Sequence, residues 1–216
     1  MTISAAVMAH PKRRANAEAL ADQLRSYPFV SVNVIYDTPD AASHEAEWDN
    51  GTRSLLDGVG KADWHLVVQD DAILSPGLYD NLQGAIATVP QKSLISLYTG
   101  TARPMGKRVK AAVDKVVDET WLSYWLLMWG VGILMPSSHI EPMIEFVADR
   151  TEPYDTRIGI FYQRNRLPVY YTMPSLVDHD DDLGTLLPGH GTEPGARVAH
   201  KFATGPVIWT SKVITI

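Results

Sequence analysis

The sequence predicts an α/β protein built on a mostly parallel sheet with helices on both faces, and three observations carry that expectation. Short apolar or β-branched runs alternate with helix-forming stretches through the first hundred residues, the pattern that parallel strands leave because each needs a helical crossover. Chain breakers such as Pro28, Gly58, Gly60 and Pro90 fall between these runs. The 216 residues, 45% hydrophobic and 20% charged, are enough for one well-buried core and short for two, so a single domain over 1–216 is expected.

Taken in order, residues 4–8 are an apolar run closed by His10 and Pro11, and the Ala-rich stretch 13–26 reads as a helix stopped by Pro28. Residues 31–36 alternate and carry β-branched side chains, which predicts a strand ending at Asp37 and a Pro-containing turn. From Thr52 the spacing of Leu55, Leu56 and Val59 predicts a helix that Gly58 and Gly60 close, followed by a strand at 65–68. Leu78, Leu82, Ala85 and Ile86 predict another helix, and 93–98 another strand. The second half is less regular. An apolar, Trp-rich stretch covers 121–135, Ser137 or Ser138 is placed to cap a helix carrying Ile140, Met143, Ile144 and Val147, and a helix over 155–165 precedes a strand over 169–172. Residues 178–195 are polar and rich in Gly and Pro, the composition of a loop.

Composition narrows the chemistry. No cysteine is present, which removes disulfides, thiolate metal sites and a cysteine nucleophile together. The net charge of −6 argues against a surface made to bind phosphate backbones everywhere, although Lys12, Arg13 and Arg14, and again Lys107, Arg108 and Lys110, cluster basic charge locally. At the N-terminus the basic residues follow a very short apolar stretch, the reverse of a secretory signal, and no apolar run approaches membrane-spanning length. A cytoplasmic protein without a membrane span is the expectation.

The informative segment is residues 64–74, where an apolar strand runs into the adjacent carboxylates Asp70 and Asp71. Ligands of open α/β sheets bind beyond the carboxyl ends of strands, and two hard oxygen donors there suit Mg²⁺ or Mn²⁺ bridging to a diphosphate. The same residues also suit a plainer role, with Asp71 capping the next helix and Asp70 solvated.

Gln69-Asp70-Asp71 resembles the strand-terminal acidic motif of GT-A fold glycosyltransferases, with a neutral first residue where that motif has an acid. Three further segments are similar to the same enzymes: Trp129-Gly130-Val131-Gly132-Ile133-Leu134-Met135-Pro136, Tyr154-Asp155-Thr156-Arg157-Ile158, and Pro174-Ser175-Leu176-Val177-Asp178-His179. Together they look like small galactosyltransferase-like and phage-encoded members. The resemblance implies a nucleotide-sugar donor, a UDP-sugar by default, bound in the half at 1–100, and an acceptor in the half at 101–216. It implies a divalent metal, Mn²⁺ or Mg²⁺, on Asp71 and His179, with Asp70 on ribose or metal and Gly130 lining the sugar site. It further implies that His10, Pro11 and Arg13 meet the base and ribose, that Asp37 and Thr38 face the uracil or ribose, and that Arg53 approaches the diphosphate. In an inverting enzyme Asp155 would be the general base on the acceptor hydroxyl. The implied acceptor is a glycan hydroxyl or, from the phage-like appearance, a hydroxymethylated base of DNA in a host cytoplasm. Lys107, Arg108 and Lys110 with Trp121, Tyr124, Trp125 and Trp129 suit either acceptor, the aromatic faces stacking on sugars or on an extruded base and the lysines holding phosphates, although core packing is the expectation for at least half of the tryptophans. A non-catalytic nucleotide-sugar-binding module that kept the fold is the competing reading, and a nucleotidyltransferase a lesser one.

Overall fold

The computed structural model describes residues 1–38, 43–101, 105–118, 120–186 and 197–216. Strands β1 (Ile3–Ala9), β2 (Val32–Tyr36), β3 (Trp64–Gln69), β5 (Ile95–Ser96), β6 (Trp121–Tyr124), β7 (Gly132–Pro136), β8 (Val169–Thr172) and β10 (Val213–Thr215) form one sheet in the order β10-β6-β8-β5-β7-β3-β1-β2. Neighbours pair in parallel at β1/β2, β1/β3, β5/β8 and β6/β10, and antiparallel at β3/β7, β5/β7 and β6/β8. Strands β4 (Ala72–Leu74) and β9 (Val177–His179) make a separate antiparallel ribbon. The outcome is a Rossmann-like α/β sheet, mostly parallel, flanked by helices.

Side-chain alternation along each strand divides the core. On one face Ile3, Ala5 and Val7 of β1 and Trp64, Leu66 and Val68 of β3 pack against α1 (Arg14–Arg25) and α3 (Leu78–Thr88). On the other, Met8 and Val67 meet α2 (His44–Leu56), α4 (Gly106–Val113), α5 (Ile140–Phe146) and α6 (Tyr154–Arg164). Burial on both faces explains why these strands read as continuous apolar runs, and each fully buried aliphatic side chain contributes about 1.5–3 kcal/mol. Close backbone approach sets the spacing of α2 and α6: a Cβ on Gly51 would stand 2.3 Å from the Tyr154 ring.

Three expectations are corrected, on the start of α2, the cap of α5 and the loop. Helix α2 begins at His44 instead of near Thr52, because Ser43 caps it by accepting from the Ala46 N–H at 3.2 Å; Asn50, Gly51 and Ser54 are buried along it, so its first turns lack an apolar stripe. Neither Ser137 nor Ser138 caps α5; residues 137–139 are a tight 3-10 turn with no side-chain cap, and the helix starts at Ile140. The stretch expected as a loop opens within strand β9, which finds its hydrogen bonds on β4, and residues 187–195 of it lie outside the described residues. The basic segment 107–110 is helical: Lys110 pairs with Asp114 at 2.7 Å, and Arg108 donates to the Ile216 carbonyl at 3.0 Å and lies over the Tyr124 ring. Trp121 is fully buried and Trp129 packs edge-on against Tyr98 and Tyr171, whereas Trp125 is exposed. No helix among the described residues is long and apolar enough to cross a membrane.

Candidate functional site

The chain leaves β1 for β2 on one side and returns to β3 on the other. Loops following two such strands diverge, leaving a crevice at their carboxyl ends. His10 follows β1, Asp37 follows β2, and Asp70 and Asp71 follow β3. These four, with Arg13, Glu47, Asn50, Gln69, His179 and Arg197 among others, line a cleft of about 160 Å³.

The local fold fixes each group. Asp70 ends the β3 ladder by donating its N–H to the Met8 carbonyl, and its Oδ2 accepts from the His10 N–H at 2.7 Å. Asp71 leads into β4, and the β4/β9 register sets Ala72 opposite His179, which brings His179 Nε2 to 3.6 Å from Asp71 Oδ2. Arg13 ends a 3-10 turn that Pro11 begins and the His10 imidazole caps. Its Nη1 donates to Asp70 Oδ1 at 2.9 Å and to Asp71 Oδ2 at 2.7 Å, while Nη2 donates to the Gly184 carbonyl. Gly184 has φ +62°, a backbone that glycine adopts freely and that aims this carbonyl at the guanidinium. Arg197 donates from Nε to Asp181 Oδ1 at 2.6 Å and from Nη1 to His179 Nε2 at 3.2 Å.

Protonation follows from these contacts. A guanidinium only donates, so His179 Nε2 accepts and the imidazole is neutral with its proton on Nδ1. Burial lowers the His179 pKa and the charge of Arg197 adds to this, against the pull of Asp71. Burial also pushes the Asp70 carboxyl up, helped by the Asp71 carboxylate and opposed by the His10 N–H and by Arg13. Although desolvation works against it, Arg13 is held charged by Asp71 and Asp70.

Four polar atoms here are buried without a hydrogen-bond partner among the described residues: Asp71 Oδ1, His179 Nδ1, Arg197 Nη2 and Asn50 Oδ1. Asn50 is only 2% exposed, and its other amide atom donates to the Ala9 carbonyl at 3.1 Å. An unsatisfied buried polar atom costs about 1–3 kcal/mol, so four on one cleft describe a surface short of a partner.

A divalent cation suits part of this donor set. Asp71 Oδ1 is unpartnered, and Asp71 and His179 are adjacent oxygen and nitrogen donors. No three His, Asp or Glu side chains among the described residues converge as a metal site, so an ion on these two would take its other ligands from phosphate oxygens and water.

Of the residues singled out from sequence, His10, Arg13, Asp37, Asp70, Asp71 and His179 come together in the cleft. Pro11, Arg53, Gly130 and Asp155 do not line it. Arg53 pairs with Asp49 at 2.9 Å and donates to the Tyr36 carbonyl. Gly130 admits the Tyr154 ring, which a Cβ would meet at 3.1 Å, and Asp155 lies just beyond it. Burial raises the Asp155 carboxyl pKa, against the N–H and hydroxyl of Thr156. Sequence reasoning missed Asn50 and Arg197. Neither had a local pattern to mark it: Asn50 lies before the expected start of its helix at Thr52, and Arg197 lies 18 residues past His179.

No family model and no curated protein matches the chain. Among solved structures it is similar to mannose-1-phosphate geranyltransferase from Thermus thermophilus, at 11% identity and TM-score 0.40, over 80% of this chain and 74% of that one. A likeness of that size carries no functional conclusion.

Proposed function

We propose that the cleft binds a nucleotide-sugar and that the protein is a GT-A type glycosyltransferase moving the sugar to an acceptor hydroxyl. The observation that carries this reading is the pair of buried carboxylates, Asp70 and Asp71, at the β1/β3 crevice, with two arginines and an unpartnered Asn50 acceptor facing the same space. In the reaction the anomeric carbon–oxygen bond breaks, its electron pair leaves on the diphosphate, and the acceptor oxygen bonds to the same carbon as its proton departs. Arg13 and Arg197 donate to the phosphate oxygens that gain this charge. Asn50 Oδ1 accepts from a ribose hydroxyl or a base N–H. A divalent ion, held by Asp71 and His179, would supply Lewis-acid stabilisation of the leaving group. Asp155 serves as base for an acceptor that reaches past Gly130, and its raised pKa suits that task.

A glycan hydroxyl is the favoured acceptor, because the cations of α4 that would hold DNA are partly engaged within the protein and none of them lines the cleft. Activity on DNA carrying hydroxymethylated bases, with a steep salt dependence, would reverse that preference. The test of the function itself is release of free nucleotide from a panel of UDP-, GDP- and other nucleotide-sugars with Mn²⁺, with and without chelator. Metal-dependent release names the donor. Binding without turnover, with or without acceptors, supports the non-catalytic module instead, and no binding at all defeats the proposal.

A further inference from the structure

We infer that Arg13, assisted by Arg197, occupies the cation position beside Asp71 and His179 in the free protein, so that a divalent metal binds tightly only after a diphosphate has drawn these arginines away. This rests on the reading of the cleft as a nucleotide-sugar site and adds an order of events to it.

The atoms in question are the lone pairs a metal would need. Asp71 Oδ2 and His179 Nε2 face each other at 3.6 Å, and each already accepts from a guanidinium, Arg13 at 2.7 Å and Arg197 at 3.2 Å. The Arg13 Nη1 bridges both aspartates, as a divalent ion between two carboxylates would. A cation entering here meets two fixed positive charges and carboxylates already neutralised in a poorly hydrated setting, where such repulsion is weakly screened. A nucleoside diphosphate reverses the balance. Guanidinium groups bind phosphate bidentately and strongly, so the arginines gain new partners as the acids and imidazole lose theirs. Asp71, 6% exposed with Oδ1 unpartnered, is thereby left with both oxygens open. Metal and diphosphate then raise each other's affinity by the same factor, as linkage requires.

The test measures Mn²⁺ binding by electron paramagnetic resonance, with no nucleotide and no turnover. Arg13→Gln is expected to bind Mn²⁺ about tenfold or more tightly than the wild type, since one repelling charge at contact distance is gone. Arg13→Lys, which keeps the charge, is expected to stay close to wild type. Adding Asp71→Asn to Arg13→Gln should abolish the gain. If the single variant does not fold, Arg13→Gln/Asp70→Asn removes one charge of each sign and keeps the cluster's net charge; it should show a Mn²⁺-induced rise in melting temperature that the wild type lacks. Unchanged or weaker Mn²⁺ affinity in whichever of these charge-removing variants folds overturns the inference. The coupling is read on the wild type, whose Mn²⁺ affinity should tighten with saturating UDP, and a bound UDP that leaves it unchanged also overturns the inference. A gain in Arg13→Gln alongside no binding of any nucleotide-sugar would leave the arginine competition standing and remove the glycosyltransferase reading.

Discussion

Two buried polar clusters stand on the same pair of strands and differ in one respect. Near the start of β3, His65 is fully buried, yet both ring nitrogens are engaged at 2.8 Å, Nδ1 with the Ser4 hydroxyl and Nε2 with the Ser54 carbonyl. A carbonyl only accepts, so Nε2 carries the proton; burial keeps the imidazole neutral, and Nδ1 then accepts from the Ser4 hydroxyl. At the far end of the same strand, Asp70 and Asp71 sit among four polar atoms that lack partners among the described residues. The first cluster closes on itself and its purpose ends with the fold. The second leaves capacity unused among the described residues, as the proposed binding role requires and a closed polar core site does not.

Substitutions can break or sharpen this contrast. The largest expected effect is at the open cluster: Asp71→Ala should lower metal-dependent nucleotide release about a thousandfold, far more than the loss of stability from the acceptor that Arg13 loses accounts for. Activity within tenfold of wild type would remove Asp71 from the chemistry. At the closed cluster the outcome should invert. His65→Phe leaves the Ser54 carbonyl and Ser4 hydroxyl unsatisfied, and a loss of about 2–4 kcal/mol in urea unfolding is expected, with nucleotide affinity unchanged.

The pH dependence separates the clusters further. Burial lowers the His65 pKa from its ordinary 6.5 to about 4. Between these values the unfolded chain binds the proton and the folded protein does not, so this contribution is full above pH 6.5 and is lost as pH falls toward 4. The loss is on the order of 3 kcal/mol. His65→Phe should flatten that part of the stability profile relative to wild type, and parallel profiles would contradict the assignment.

Smaller effects test the cleft wall. Asn50→Ala should weaken UDP binding about three- to tenfold by calorimetry, the worth of one neutral hydrogen bond. Arg53→Ala should change stability by less than about 0.5 kcal/mol, since its pair with Asp49 is exposed, and should leave UDP affinity intact. A marked loss of affinity there would restore to Arg53 the diphosphate contact that the sequence resemblance implies.

Legibility in the sequence followed the range of the interactions. Strands β1, β3 and β8 and helices α1, α3 and α6 were readable within a residue or two, because their burial repeats at the period of the element itself. Helix α2 was half readable, since Asn50, Gly51 and Ser54 are buried for reasons located on β1, β3 and α6 and break the apolar stripe. Strands β4 and β9 are three residues each and have no stable existence apart from each other.

The site divides along the same line. The adjacency of Asp70 and Asp71, and their place after an apolar strand, are properties of the chain that any reader of it can see. That Arg13, 57 residues earlier, lies across both carboxylates, and that Arg197 meets His179 across 18 residues, are consequences of strand order and ribbon register. The sequence by itself determined which groups were available and the elements that carry them, since backbone conformation and burial period are settled within a few residues. Only the tertiary structure decided which charges share a cleft and which polar atoms are left open, because partners that distant are chosen by the packing of the whole sheet.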